Sequence, residues 1–400
     1  MEDDRATFPS EILEEITAYL SDDQTTLARC SLASSELAII CRRHLFGNVV
    51  VGPRSLASFL SLINAPWTSL PPALSKITIK GKILGRGTLV PFNGPMDLDK
   101  LKSSLRRVHS FIFSNISLDI LPTSFWNMIH ALEGVKEVTI HEAVVGHSLR
   151  IFPFLCSLPS LERVSVSRTT WDVSSPWLCL ITSLVKSPFS IPLLDVGARC
   201  NLELSVWVLA QNPTPPIETL RIDISTGRLV HQKHLLQRFL STPGLAIQHI
   251  QIKLPTRLRG SSSLYKELVD LTALTGLQSV HVDGLVIDPL CPSEDKEMLE
   301  DLVGHLLSHL PRSYIHPLSL SLGFAMDPES GEVLGVPDNM LLQVYNWNVF
   351  TETLTEYPCL NLRLKIAEHE AYLTSYTEEY LRTGPFAAFH DSERLQIEFS

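Results

Sequence analysis

Four hundred residues, 44% hydrophobic and 19% charged, exceed what one compact core usually holds and carry ample apolar content to fold. A largely disordered chain is therefore excluded, and either two domains or an elongated repeat is expected. The net charge of -10 argues against a general nucleic-acid binder. Seven scattered cysteines without C-x-x-C spacing support neither a disulfide framework nor a zinc knuckle. The acidic opening MEDDR is wrong for a secretory signal, and no apolar run approaches the roughly 18 residues of a membrane span. Reduced thiols, no membrane and a cytoplasmic or nuclear location are the expectation.

In chain order, the stretch from Phe8 to Phe46 predicts three short amphipathic helices with almost no loop between them. Pro9 suits a helix start, with Glu11, Glu14 and Glu15 at the positive end of the helix dipole. Ile12, Leu13, Ile16 and Leu20 recur at helical spacing. Asp22 and Asp23 end this helix and can cap the next, which offers Leu27, Cys30 and Leu32. After the polar break Ser34-Ser35-Glu36, a third pattern follows with Leu37, Ile40, Cys41 and Leu45. Helices this short need a partner surface, because nucleation is not repaid within about a dozen residues.

The ordered run Pro9-x-Glu11-Ile12, Ile16, Leu20, Leu27-x-x-Cys30-x-Leu32-x-Ser34 and the tail Cys41-Arg42-Arg43-His44-Leu45-Phe46 resembles an F-box. That motif binds the Skp adaptor of cullin-RING ubiquitin ligases. The wording is similar to the expanded F-box families of mushroom-forming (basidiomycete) fungi. Phe8, Ala33 and Leu37 stand where the family usually has Leu, Val and Trp, and all three remain apolar. The resemblance covers residues 5–50 and implies an adaptor-binding set of Phe8, Pro9, Ile12, Leu13, Ile16, Leu20, Leu27, Cys30, Leu32 and Leu37.

Residues 54–63 predict a further helix, and from there the chain repeats a unit of the form apolar-x-x-apolar-x-apolar. The units end at Ile79, Phe113, Ile140, Val166, Val196, Ile222, Ile252, Val282, Leu320, Leu364 and Ile397. Most steps are roughly 26 to 34 residues, close to the period of leucine-rich repeats. Each unit predicts a strand whose two outer apolar residues turn inward while the residue between them turns outward. Those outward residues are Thr78, Ile112, Thr139, Ser165, Asp195, Arg221, Gln251, His281, Ser319, Arg363 and Gln396, nearly all polar. Helical spacing lies between the strands at 123–131, 176–185, 202–210, 231–240, 263–274 and 295–310, and again at 348–357 and 369–381. Strand, loop and helix in alternation predict an α/β fold with a parallel sheet.

The resemblance is to an F-box followed, over 51–400, by an irregular leucine-rich-repeat-like solenoid of about eleven strand units, its sheet on the concave face and helices outside. The Asn or Cys usual after each strand is missing from most units. Residues 325–341, polar and turn-rich, predict an insertion loop.

No nucleotide loop is present, since Gly81 to Gly87 lacks the G-x-x-x-x-G-K-[ST] order, and there is no G-x-S-x-G elbow. His305 and His309 are four apart, but HLLSH lacks the Glu of a zinc-protease helix. No catalytic residue, metal or cofactor is therefore expected. The resemblance implies a non-catalytic substrate-recognition subunit of a Skp-cullin-F-box ligase. Its partners would be the Skp adaptor, through it a cullin-RING assembly, and a protein substrate held by Asp195, Arg221, Gln251, His281 and Arg363. The alternative is a repeat scaffold whose N-terminal helices are only a structural cap.

Overall fold

The protein is described here by a computed structural model covering residues 9–52, 54–65, 73–81, 105–121, 123–130, 132–145, 150–171, 190–197, 207–208, 211, 214–223, 233–242, 246–254, 270–287, 304–310, 318–326, 351, 354, 357, 360–366 and 378–399. It divides into two compact units, Met1–Ser165 with Thr169–Trp177, and Val166–Arg168 with Leu178–Ser400.

The first unit opens with helices α1 (Ser10–Tyr19), α2 (Gln24–Cys30) and α3 (Ser35–Phe46). Each start has a local cause. The Pro9 carbonyl accepts from the N–H groups of Ile12 and Leu13 at 3.1 and 3.3 Å. Asp23 accepts from Thr26 N–H at 3.0 Å, and Ser34 Oγ accepts from Leu37 N–H at 3.1 Å, so two of the orphan donors of α2 and α3 are satisfied. Leu27, Ile40 and Cys41 form the small core on which α1 and α2 pack against α3. Glu14 and Arg43 join α1 to α3 at 2.9 Å, but both are half exposed and the pair adds little to stability.

Next come β1 (Asn48–Val51), α4 (Leu56–Asn64), β2 (Lys76–Lys80), β3 (Ser110–Ser114), a 3-10 turn at Leu118–Ile120, α5 (Thr123–Ile129), β4 (Glu137–His141), β5 (Val144–Val145), α6 (Ile151–Cys156), β6 (Arg163–Ser167) and β7 (Thr170–Trp171). The boundary between the units falls within β6. Strands β1, β2, β3, β4 and β6 lie in sequence order with parallel pairing, and β5 and β7 form a separate short ladder. Along β2, Ile77 and Ile79 are buried and Thr78 turns outward, as the unit pattern predicts. The inward side chains of β3 carry the core of this unit. Phe111 and Phe113 meet Phe125 of α5 and Phe154 of α6 with ring centroids 6.2 to 6.4 Å apart, and Trp126 stacks on Phe113 at 6.0 Å. Helices thus cover one face of these strands, while Ile112 and Thr139 sit on the other.

The second unit contains β8 (Leu193–Val196), β9 (Thr219–Asp223), α7 (Lys233–Leu240), β10 (His249–Lys253), β11 (Ser279–Ile287), β12 (Leu318–Met326), β13 (Leu360–Ile366), α8 (Ala387–Asp391) and β14 (Leu395–Phe399). Residues 304–308 and 378–383 are also helical. Strands β8 to β14 pair in parallel in sequence order. Parallel neighbours need a crossover of at least a dozen residues, which is why the repeat is so long. The Tyr357 hydroxyl, buried, donates to the Leu307 carbonyl at 2.8 Å and ties the segment before β13 to residues 304–308.

The α/β class and the parallel strands are as predicted, with three corrections. The described strands in these two series number twelve, because β1, sequence NVVV, pairs with β2 and places Val50 beside Thr78. In β12 Ser319 faces outward as predicted, but the register partner of His281 is Ser321, two residues on. The predicted loop 325–341 begins too early, since Ala325 and Met326 are strand; residues 327–341 lie outside the described residues. Of the predicted helix 263–274, residues 263–269 lie outside the described residues and 270–274 form a turn, where Asp270 Oδ1 accepts from Thr272 N–H at 2.9 Å and so bonds locally in place of a helix. The predicted helix at 176–185 and most of 202–210, 295–310, 348–357 and 369–381 lie outside the described residues. Among the described residues no helix is long and apolar enough to cross a membrane.

Candidate functional site

Two surfaces stand out, one in each unit. On the first unit the three helices turn apolar side chains to solvent: Ile12 is 42% exposed, Ile16 49%, Tyr19 84%, Leu32 88% and Ile39 59%. Ile12, Ile16 and Tyr19 follow i, i+4, i+7 spacing and therefore share one face of α1. The buried residue of that helix is Thr17, whose hydroxyl donates to the Leu13 carbonyl at 2.8 Å. Of the predicted adaptor-binding set, Pro9 is exposed, while Leu13, Leu20, Cys30 and Leu37 are half-buried. Leu27 is fully buried and supports the surface from beneath. Phe8 lies outside the described residues. Tyr19 and Ile39 escaped the sequence reading, although the spacing of Tyr19 from Ile12 and Ile16 could have shown it.

On the second unit, register places the five predicted substrate-face residues in one row. Asp195 pairs with Arg221, Arg221 with Gln251, Gln251 with His281, His281 with Ser321, Ser321 with Arg363, and Arg363 with Gln396. Register partners in parallel strands share a face, so this is a continuous polar ladder. The next outward row brings Asp283, Lys365 and Glu398 beside it.

The ladder is partly self-neutralised. Asp283 Oδ2 accepts from Gln251 Nε2 at 2.6 Å, and Asp283 Oδ1 lies 2.6 Å from His281 Nε2. Burial pushes the Asp283 carboxyl up, but hydrogen bonds from His281 and Gln251 and the charges of His281 and Lys365 outweigh it and hold the group below the usual carboxylate range. Arg363 pairs with Glu398 Oε1, which also accepts from Gln396 Nε2 at 3.3 Å. Beside Asp283 the register shifts between Val282 and Leu285, so two residues of β11, Asp283 and Gly284, face Gly323 alone on β12. Such a bulge bends its strand and re-aims its side chains.

Ser321, His281 and Asp283 are the residue types of a hydrolytic triad, and the first two are register neighbours. Ser321 Oγ is buried, however, and makes no hydrogen bond among the described residues, so His281 is not engaged with it as a base. Burial pushes the Cys156 thiol up to about 12, which leaves it protonated and unreactive. The His305 and His309 rings lie 4.0 Å apart, and His309 Nδ1 is held by the His305 carbonyl at 2.8 Å. Among the described residues no group of three or more His, Cys, Asp or Glu side chains is arranged to hold a metal ion.

No protein-family model matches the chain, and no curated protein matches it.

Proposed function

We propose that this protein is the substrate-recognition subunit of a Skp-cullin-F-box ubiquitin ligase. The N-terminal helices bind the Skp adaptor, and the polar ladder of the second unit holds a protein substrate. The observation that carries the reading is the set of large apolar side chains turned to solvent on capped, packed helices, foremost Ile12, Ile16 and Tyr19. Exposed apolar clusters on folded elements mark protein-binding surfaces, and this one lies on the stretch that resembles an F-box. On the same reading the parallel strands in sequence order are an irregular leucine-rich-repeat-like solenoid. On this reading the chain itself supplies no reacting group. It acts by raising the effective concentration of substrate beside a conjugating enzyme brought by the cullin and RING subunits.

The test is capture of a fungal Skp adaptor, with its cullin partner, by the full chain and by an Ile16→Asp/Leu20→Asp variant. Capture by the wild type and its loss in the variant support the reading. If the wild type captures nothing, the helices are a structural cap, a role that the buried Leu27, Ile40 and Cys41 fit equally well.

A further inference from the structure

Strand β12 presents only small groups to the polar ladder. Its outward positions are Ser321 and Gly323, while the flanking strands offer His281 and Asp283 on one side and Arg363 and Lys365 on the other. The result is a notch two strand spacings wide, about 9 to 10 Å between the flanking backbones. Opposite Gly323 the bulge at Asp283 adds an extra residue, so the notch is not a by-product of regular pairing.

The hydrogen-bonding capacity of this notch is unbalanced. Both Asp283 oxygens are already engaged, by His281 and by Gln251. Glu398 Oε1 is engaged twice, by Arg363 and by Gln396. Two donors, in contrast, are left over. Ser321 is 8% exposed and its hydroxyl has no partner among the described residues; the buried Arg363 Nε–H is likewise without one. Lys365, whose register partners are Gly323 on β12 and Glu398 on β14 and whose charge also acts on Asp283, carries three donors and no acceptor. A buried donor left unsatisfied is costly, and none of the described residues satisfies this one.

We infer that the Ser321 notch is a recognition subsite for an oxyanion carried on a peptide, taken by the Ser321 hydroxyl, the Arg363 Nε–H and the Lys365 ammonium. A glutamate or aspartate carboxylate and a phosphoryl group share that chemistry. The inference deepens the substrate-receptor reading and rests on it for the identity of the occupant as a protein segment. Arg363 keeps its contact with Glu398 through a different nitrogen, so one guanidinium serves both.

The experiment uses labelled full-length protein on peptide libraries with randomised flanks and one fixed central residue: glutamate, phosphoserine or glutamine. The expected result is a preference of about tenfold for glutamate, phosphoserine or both over glutamine, the size of one charge-assisted hydrogen bond. Preference for phosphoserine alone assigns the phosphoryl source, and for glutamate alone the carboxylate. Lys365→Gln and Ser321→Asp should remove the preference, the latter by placing a carboxylate on the notch floor. Glu398→Gln should raise it, because it releases Arg363, an outcome that mere loss of fold would not produce. Lys136→Gln, in the first unit, should leave it unchanged. No preference in the wild type, or a preference indifferent to Lys365→Gln and Glu398→Gln, overturns the inference. Adaptor capture is read separately. A chain that captures adaptor but shows no preference sinks the notch alone, and the reverse pattern sinks the ligase reading alone.

Discussion

Replacing Ile12, Ile16 and Tyr19 together by alanine separates a binding surface from a core. Fully burying an isoleucine is worth about 1.5–3 kcal/mol. With 42% of Ile12 and 49% of Ile16 still exposed, about half of that, roughly 1 kcal/mol each, remains to be gained on contact with a partner. Tyr19, 84% exposed, adds about 1.5 kcal/mol more. The sum, about 3–4 kcal/mol, corresponds to a loss of roughly two to three orders of magnitude in adaptor affinity. The cost to folding should be smaller, about 1–2 kcal/mol, because alanine's helix propensity offsets part of the lost burial. Leu27→Ala is the opposite control. Fully buried, it should cost about 2–5 kcal/mol of folding while leaving the affinity of the folded fraction unchanged. Calorimetric titration of purified adaptor and urea unfolding of each variant measure the two quantities. Adaptor affinity within threefold of wild type in the triple variant would refute the assignment of this face.

Three further outcomes are expected. Asp283 has a folded pKa below its unfolded value of about 3.9, so it adds stability above that pH and loses it as pH falls through the folded value. Asp283→Asn should therefore lower stability at pH 7 and flatten the acid limb below about pH 4 in urea titrations; parallel limbs would contradict the pairing with His281 and Gln251. Phe113→Ala removes the ring that Phe111, Phe125, Trp126 and Phe154 surround, and should cost about 3–5 kcal/mol by denaturant unfolding. Glu142 adopts φ 49° directly after β4, a left-handed conformation that costs a non-glycine residue about 1–2 kcal/mol. After the entropy that glycine adds to the unfolded chain, Glu142→Gly should gain about 0.5–1 kcal/mol, visible as a raised Tm.

What was legible in the sequence follows period-two alternation. Thr78, Gln251 and His281 are single polar residues between buried apolar ones, and each lies where the pattern puts it. Ser321 was missed as the ladder residue because Leu318-Ser319-Leu320-Ser321-Leu322 offers two outward serines, and only pairing with β11 selects between them. β1 was missed because three successive valines carry no alternation, although Val51 is buried and Val50 exposed. α6 contains Pro153, which reads as a breaker but falls in the first turn, where its missing N–H is not needed. At the candidate sites, residue types were legible and their commitments were not. Nothing in the sequence tells that Arg363 shares Glu398 with Gln396, or that Ser321 is left without a partner among the described residues.

Strands that pair with the strands of the preceding repeat also bear on how such a chain is made. Within each unit, the strand that a new segment must join has emerged from the ribosome one repeat earlier. Pairing can then advance with synthesis, each segment adding to an edge already formed, with no wait for a distant part of the chain. The vulnerable species during growth is the most recent open edge, whose unpaired backbone invites the wrong strand until the next one arrives.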